Sequence, residues 1–380
     1  MRRAAEFLVV AICTLAFALT AIGICTLLLT GNSAGNHDFI SYWAAGQQLI
    51  HHQNPYDADA ILRIEHSAGF PVGYQALIMR NPPSALLLTL PLGFVSLRTA
   101  ALLWSLLSLS CLVVSVRLLR PKGRLGFLGY TFAPALACLL AGQTSLLVLL
   151  GLVLFLRLHE TRYFLAGCSL WLCALKPHLF LPFAVALILS SLIKKRYSLL
   201  AGTVLALAVS SSVALYFDPS IWNHYSQMMH GHELEGEFIP CLSVALRFAL
   251  HSPWIQYLPA LLSSIWAVFY FSKHSWTEHV GLLLLVSVLL APYAWFTDQA
   301  VLIATLLPAA YLSSSRSMIA FLALISAAIE IQTLLGVSMH SWTYLWTAPA
   351  WITWYFFASS YAIKVNAPPT LGAAIATENP

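Results

Sequence analysis

A handful of polar side chains interrupt an otherwise apolar chain, and their types suit the handling of a phosphate and a sugar. Lys176 breaks a hydrophobic stretch and is followed at once by Pro177, so it lies where two apolar runs meet. A cation at such a place is read either as a lysine snorkelling to the membrane surface or as a clamp for a lipid-linked phosphate, aided by His178 and a nearby helix terminus. Gln143, in Gly142-Gln143, either donates a hydrogen bond to the same group or simply ends a span. Asp298, closing Tyr293-Ala294-Trp295-Phe296-Thr297, is placed to hold a cation or a sugar hydroxyl. Glu330 falls within an apolar run, and a pair with Gln332 or a neighbouring helix is its default reading. His224, His230, His232 and Glu233 have metal-ligand types. The His230-Gly231-His232 spacing fixes no ligand set, however, and a solvated loop or substrate contact is preferred.

The densest polar group is residues 37–57, which gather Asp38, Gln47, Gln48, His51, His52 and an Asn54-Pro55 turn soon after the first hydrophobic segment. Phe39, Tyr42, Trp43, Gly46 and Ile50 recur at helical spacing, which predicts an amphipathic helix lying at the membrane interface with its aromatic stripe at headgroup depth. Asp38 opens that helix. It is either its N-cap or a working carboxylate, and the roles are compatible because a capping carboxylate keeps a free lone pair. Asn54-Pro55-Tyr56-Asp57 predicts a turn, with Asp57 capping a second short helix through about Glu65. Asp59 is also read as a capping residue.

The elements that must position these residues are membrane helices. Of 380 residues, 59% are hydrophobic and 9% charged, against about 25% charged in soluble domains, and the mean hydropathy is +0.79. Backbone in lipid must satisfy its own hydrogen bonds, so the fold class is an all-α polytopic membrane protein. The net charge of +5 belongs to short basic loops and marks topology, with no nucleic-acid surface implied. The seven cysteines sit in or beside apolar runs without ligand or disulfide spacing and are read as packing residues. The Met-Arg-Arg start resembles a signal peptide, but its apolar run is long and no Ala-x-Ala follows, which favours an uncleaved first span.

A span takes roughly 17–25 residues. Twelve candidates result: 7–29, 98–119, 125–141, 143–158, 163–175, 177–193, 197–217, 254–272, 277–291, 299–313, 317–336 and 343–363. The basic clusters from Arg2 and Arg3 through Lys194, Lys195 and Arg196 to Arg316 and Lys364 then fall on one side, read as cytoplasmic. This requires Ser84–Val95 to lie in or re-enter the outer interface, consistent with its shortness and its Pro91 and Gly93. The result is a single integral-membrane domain over 1–380 with outer loops at 30–97 and 218–253. Both termini are expected inside, in a multi-pass protein of a bacterial inner (plasma) membrane. Ten of the thirteen histidines then collect outside, among them His37, His66, His178, His251 and His340.

This order of elements resembles the GT-C glycosyltransferases, which use lipid-phosphate sugar donors. More narrowly, Asp38-Phe39, Tyr42-Trp43, Ala45-Gly46, Asn54-Pro55-Tyr56-Asp57, Pro82-Pro83 and Pro91-Leu92 resemble glycosyltransferase family 87, with Gly142-Gln143 and Lys176-Pro177 in agreement. The resemblance covers 38–92 well and 142–178 in part; beyond 200 it is one of general architecture. It implies a metal-independent, inverting transfer of a sugar, mannose by family, from a polyprenyl-phosphate donor to a lipid or glycan acceptor. Asp38 would be the general base. Donor phosphate would be held by Lys176, His178, Gln143 and His340, and substrate by Tyr42, Trp43, Asp298 and His232. No cofactor beyond the donor is expected, and the partners are membrane lipids and these substrates. One departure is plain: a histidine is expected around Tyr293–Asp298, and none is present. The alternative classes are a membrane transporter or lipid flippase of envelope biogenesis, whose sites lie near the bilayer midplane between repeats, and a non-catalytic partner in envelope assembly. No internal repeat is seen, and the polar residues gather on one face.

Overall fold

The computed structural model describes residues 11, 15, 18–20, 22–23, 37–70, 75–119, 125–231 and 236–364. Among them every regular element is helical. The run 7–29 and residues His232 and Glu233 lie largely or wholly outside the described residues.

The polar island forms α1 (His37–Ile50) and α2 (Ala58–Ser67). Between them the turn closes as its residues require: Tyr56 N–H donates to Asn54 Oδ1 (2.9 Å), and Ala60 N–H to the capping Asp57 Oδ1 (3.0 Å). Asp59 sits in the first turn of α2, inside the cap. A 3-10 turn at Pro83–Ala85 leads into α3 (Leu86–Gly93), the short helix expected after Pro82-Pro83. Then follows α4 (Leu97–Leu118), capped by Ser96 Oγ on Thr99 N–H (3.4 Å).

The centre is built from shorter pieces: α5 (Leu125–Tyr130), α6 (Ala133–Ala141), α7 (Ser145–Leu158), α8 (Tyr163–Cys173) and α9 (Leu181–Ile193). Longer α10 (Tyr197–Phe217) is followed by α11 (Ile221–His230) and α12 (Leu242–Leu250) in the second loop. The chain ends through α13 (Leu258–Phe271), α14 (Val280–Leu289), a 3-10 segment Phe296–Leu302 continued by α15 (Ile303–Ser313), α16 (Arg316–Leu334) and α17 (Thr347–Lys364).

Among the described residues, five helical stretches are long and apolar enough to cross a membrane: Leu97–Leu118, Tyr197–Phe217, Pro253–Phe271, Phe296–Ser313 and Arg316–Leu334. The twelve-span reading is not reached on length and composition. Much of the shortfall lies in the centre, where the apolar helices have 10–17 residues; candidate 7–29 lies largely outside the described residues, and 343–363 is not among the five. Residues 125–141 divide at Thr131, whose hydroxyl turns back onto Phe127 C=O (2.7 Å) just before Pro134 starts α6. Central helices such as α7 bury nearly every side chain against other helices, whereas α10 and α13 expose Val204, Val209, Leu261 and Phe269. Such an outward apolar face suits lipid.

One expectation is corrected. Helix α1 does not leave one face open beside its apolar stripe: the stripe (Phe39, Tyr42) and the opposite face (Ile40, Ala44) are both buried. The cause is close packing on two sides. Gly46 meets α3 so tightly that a Cβ there would strike Thr89 C=O and Gly93 N–H, a small-residue contact of the kind that joins membrane helices. Trp104 of α4 lies against Tyr42, ring centres 5.1 Å apart. Gln47 Nε2 donates to Gly93 C=O (2.5 Å) and Trp43 Nε1 to Val95 C=O (3.1 Å), so the polar groups of α1 also face protein.

Candidate functional site

Three chain turns meet at the N-terminal turn of α1. The first is the break between α6 and α7. Gly142 ends α6 at φ +69°, a left-handed conformation that costs glycine little, and its C=O accepts Trp104 Nε1 (2.6 Å). This turn delivers Gln143 and Ser145 side by side. The second is the end of α8, where Pro177 stops the helix and leaves Lys176 buried. Asn81, ahead of Pro82-Pro83, braces it by donating from Nδ2 to Leu175 C=O (2.7 Å). The third is the 3-10 segment carrying Thr297 and Asp298, both almost wholly buried.

The side chains form one continuous chain of hydrogen bonds. Gln143 Nε2 donates to Asp38 Oδ2 (2.6 Å). Gln143 Oε1 accepts from Thr297 Oγ1 (2.6 Å) and Lys176 Nζ (3.3 Å). Lys176 also donates to Ser145 Oγ (3.1 Å) and Asp298 Oδ1 (2.5 Å). Ser145 Oγ donates to the same Asp298 oxygen (2.6 Å), while Asp298 Oδ2 accepts Trp295 N–H (3.0 Å). An ammonium only donates, so the amide atom facing Lys176 is the carbonyl oxygen; the NH2 must then face Asp38. The orientation of Gln143 thus follows from the charge of Lys176.

Four residues singled out from sequence (Asp38, Gln143, Lys176, Asp298) are therefore in direct contact. The phosphate clamp expected at Lys176 is a buried ion pair in this state, its three N–H donors all engaged. Asp38 is only half-buried. Tyr42 lies near it. Burial, and then the Asp38 charge, push the Tyr42 phenol well above its ordinary range, so it remains a protonated group. Trp43 is turned to the α3 end of the helix. His178 stacks on Tyr293, ring centres 3.9 Å apart, and its Nε2 is buried with no hydrogen-bond partner among the described residues. The turn that lacks its expected histidine thus receives one from 115 residues earlier, in the turn after Lys176.

His340 lies farther out. It meets Trp295 edge-on (4.8 Å) and sits 3.7 Å from Glu237, which also binds Arg80 (3.1 Å). His232 falls outside the described residues. His224 pairs with Asp218 (2.6 Å), and among the described residues no group of three His, Cys, Asp or Glu gathers to hold a metal. The expected Glu330–Gln332 pair is not formed. Gln332 bonds Thr343 C=O (3.2 Å) and Trp346 Nε1 (3.1 Å) instead, because residues two apart on a helix face different ways.

Ser145, Thr297 and Asn81 belong to the arrangement and were not singled out from sequence. The available signal was position: each is a small polar residue at the end of an apolar run, within two residues of a recognised one or of Pro-Pro.

Chemically, the arrangement offers the carboxylate of a half-buried residue linked through an amide to a buried cation, and an imidazole nitrogen without a partner among the described residues. The model of the family described as glycosyltransferase family 87 matches residues 80–314. That stretch carries Gln143, Lys176, His178 and Asp298, while Asp38 lies ahead of it. No curated protein and no solved structure matches the chain.

Proposed function

The chain belongs to glycosyltransferase family 87, and from that premise we propose that it moves a sugar, mannose by the family resemblance, from a polyprenyl-phosphate donor to a hydroxyl of a lipid or glycan acceptor. The observation that carries the reading is the hydrogen-bonded link from Asp38 through Gln143 to Lys176. It joins a candidate base to a candidate phosphate site within one amide.

In the proposed step Asp38 takes the proton of the acceptor hydroxyl as its oxygen bonds to the anomeric carbon. The bond from that carbon to the phosphate oxygen breaks, with inversion, and the electron pair leaves on the polyprenyl phosphate. Lys176 stabilises that charge. The long contact from its Nζ to Gln143 (3.3 Å) is the one a phosphate oxygen would replace most easily. His178 Nε2, Gln143 Nε2 and, from the rim, His340 complete the proposed donor contacts. Tyr42 and Trp43 support the substrate from α1. Asp298 holds the ammonium in place. Membrane lipids, the donor and the acceptor are the partners, and the outer face of a plasma membrane is the proposed location.

The test is incubation of the purified protein with candidate polyprenyl-phosphate sugars and an acceptor, with products identified by mass. Asp38→Asn keeps the hydrogen-bonding shape but removes the base; transfer should fall by roughly 10²–10⁴-fold with folding unchanged. Full activity in that variant would remove Asp38 from the mechanism.

A further inference from the structure

Away from this site, a cavity of about 380 Å³ opens between α16, the α5–α6 junction and the residues Leu15 and Leu19. Leu19, Leu128, Thr131, Ala327 and Ile331 are among its lining residues, and the walls are almost entirely hydrocarbon. Thr131 and Ser326 also line it, but their hydroxyls donate to Phe127 C=O (2.7 Å) and Thr131 C=O (3.4 Å); Glu330 is the one ionisable group there. It lines the cavity and is 93% buried by the 7% exposure of the whole residue. Among the described residues it has no hydrogen-bond or ion-pair partner; Gln332, Ser326 and Thr333 all bond elsewhere. It also lies one turn from the end of a helix long and apolar enough to span a membrane.

A buried carboxyl group without a partner is costly, and in lipid no water repays it. A packing role would be filled better by leucine. The chemistry that fits both features is an apolar chain ending in a hydrogen-bond donor. An anionic headgroup would meet the carboxylate unfavourably, so a prenyl phosphate does not suit this place. We propose that the cavity is a binding site for a long-chain lipid with a non-anionic, hydrogen-bond-donating end, an alcohol or an amine, received by Glu330. Its chemistry is the opposite of that of the proposed donor-phosphate site, and the proposal does not depend on that site.

The test uses the full-length protein in phosphatidylcholine nanodiscs. A long-chain prenyl alcohol bearing a diazirine in its tail is photocrosslinked, and the labelled peptides are mapped. Label should concentrate around residues 128–131 and 323–334. Glu330→Leu should reduce it by roughly tenfold, the worth of one hydrogen bond to a charged group, and Glu330→Gln should retain most of it. Ala327→Phe, which fills the cavity and leaves Glu330 in place, should also lose label, and covers the case in which Glu330→Leu does not fold. Competition by an unlabelled long-chain amine and by the unlabelled alcohol separates the two headgroup sources; either prevailing supports the site. Stronger competition by prenyl phosphate, label spread evenly over the lipid-facing helices, or equal label in wild type and Ala327→Phe would overturn it.

Discussion

At the residue scale, the contact between Lys176 and Asp298 sets the terms for everything around it. Both side chains are buried, at 11% and 1% exposure, and neither charge is tolerable there without the other. Removing one partner of such a pair costs about 3–5 kcal/mol, whereas replacing both by uncharged groups is often nearly neutral. Lys176→Met is therefore expected to lower the melting temperature sharply. Lys176→Met with Asp298→Asn should recover most of that loss while sugar transfer stays absent, because the proposed phosphate cation is gone. Melting curves in detergent and the transfer assay separate the two effects. A Lys176→Met protein that melts like wild type would mean that the pair contributes nothing to stability. Half of this was legible in the sequence. Lys176 and Asp298 each announce themselves as charges in apolar surroundings, but 122 residues separate them, and nothing local says that they meet. Thr297, which fixes the amide of Gln143 along with Lys176, looks like any other threonine at the end of a span.

At the scale of elements, the first loop shows how local chemistry can be legible while its packing is not. The Asn54 turn, the Asp57 cap and the short α3 follow from residue types acting over three or four positions. The burial of α1 does not, since it depends on Gly93 and Trp104 arriving from elsewhere. Helix α2 carries a further dependence on pH. Glu65 is fully buried, and both its oxygens accept Leu77 N–H, at 3.0 and 3.3 Å. Burial raises its carboxyl to about 7 from 4.5, with the Leu77 bond opposing the rise. The folded state thus holds this proton more tightly than the unfolded chain. Its contribution is fully present below pH 4.5 and is lost as pH rises through about 7, by at most about 3 kcal/mol. The melting temperature should fall over that window in wild type, and the fall should be shallower in Glu65→Gln, which retains an acceptor without the charge. Parallel pH curves for the two proteins would show that Glu65 does not titrate there. Because Glu65 anchors the run leading to Arg80 and Asn81, the same window should loosen the brace on Leu175.

At the scale of the whole molecule, helix direction bears on which side of the membrane the proposed site faces. Gln143 precedes the start of α7 and Arg157 ends it; Arg162 precedes α8 and Lys176 follows it; Asp298 begins the long stretch that runs through α15 toward Arg316. Each helix thus carries its site residue at one end and its basic residue at the other. The excess of Lys and Arg on the cytoplasmic side of membrane proteins is the ground for proposing that the site end is the outer one. Two exposed positions test this, His340 at the site end and Lys273 after α13. Native thiols give little background, since of the five described cysteines only Cys168 is not buried. In intact cells, a membrane-impermeant maleimide should label His340→Cys and spare Lys273→Cys until the membrane is permeabilised. The reverse pattern would put the site inside. The donor and acceptor would then have to be cytoplasmic lipids, and the proposed location would fail while the proton and phosphate roles of Asp38 and Lys176 survived. Labelling of both positions in intact cells would break the shared polarity of the helices, and with it the reason for putting the hydrogen-bonded group of Gln143, Lys176 and Asp298 at the outer face.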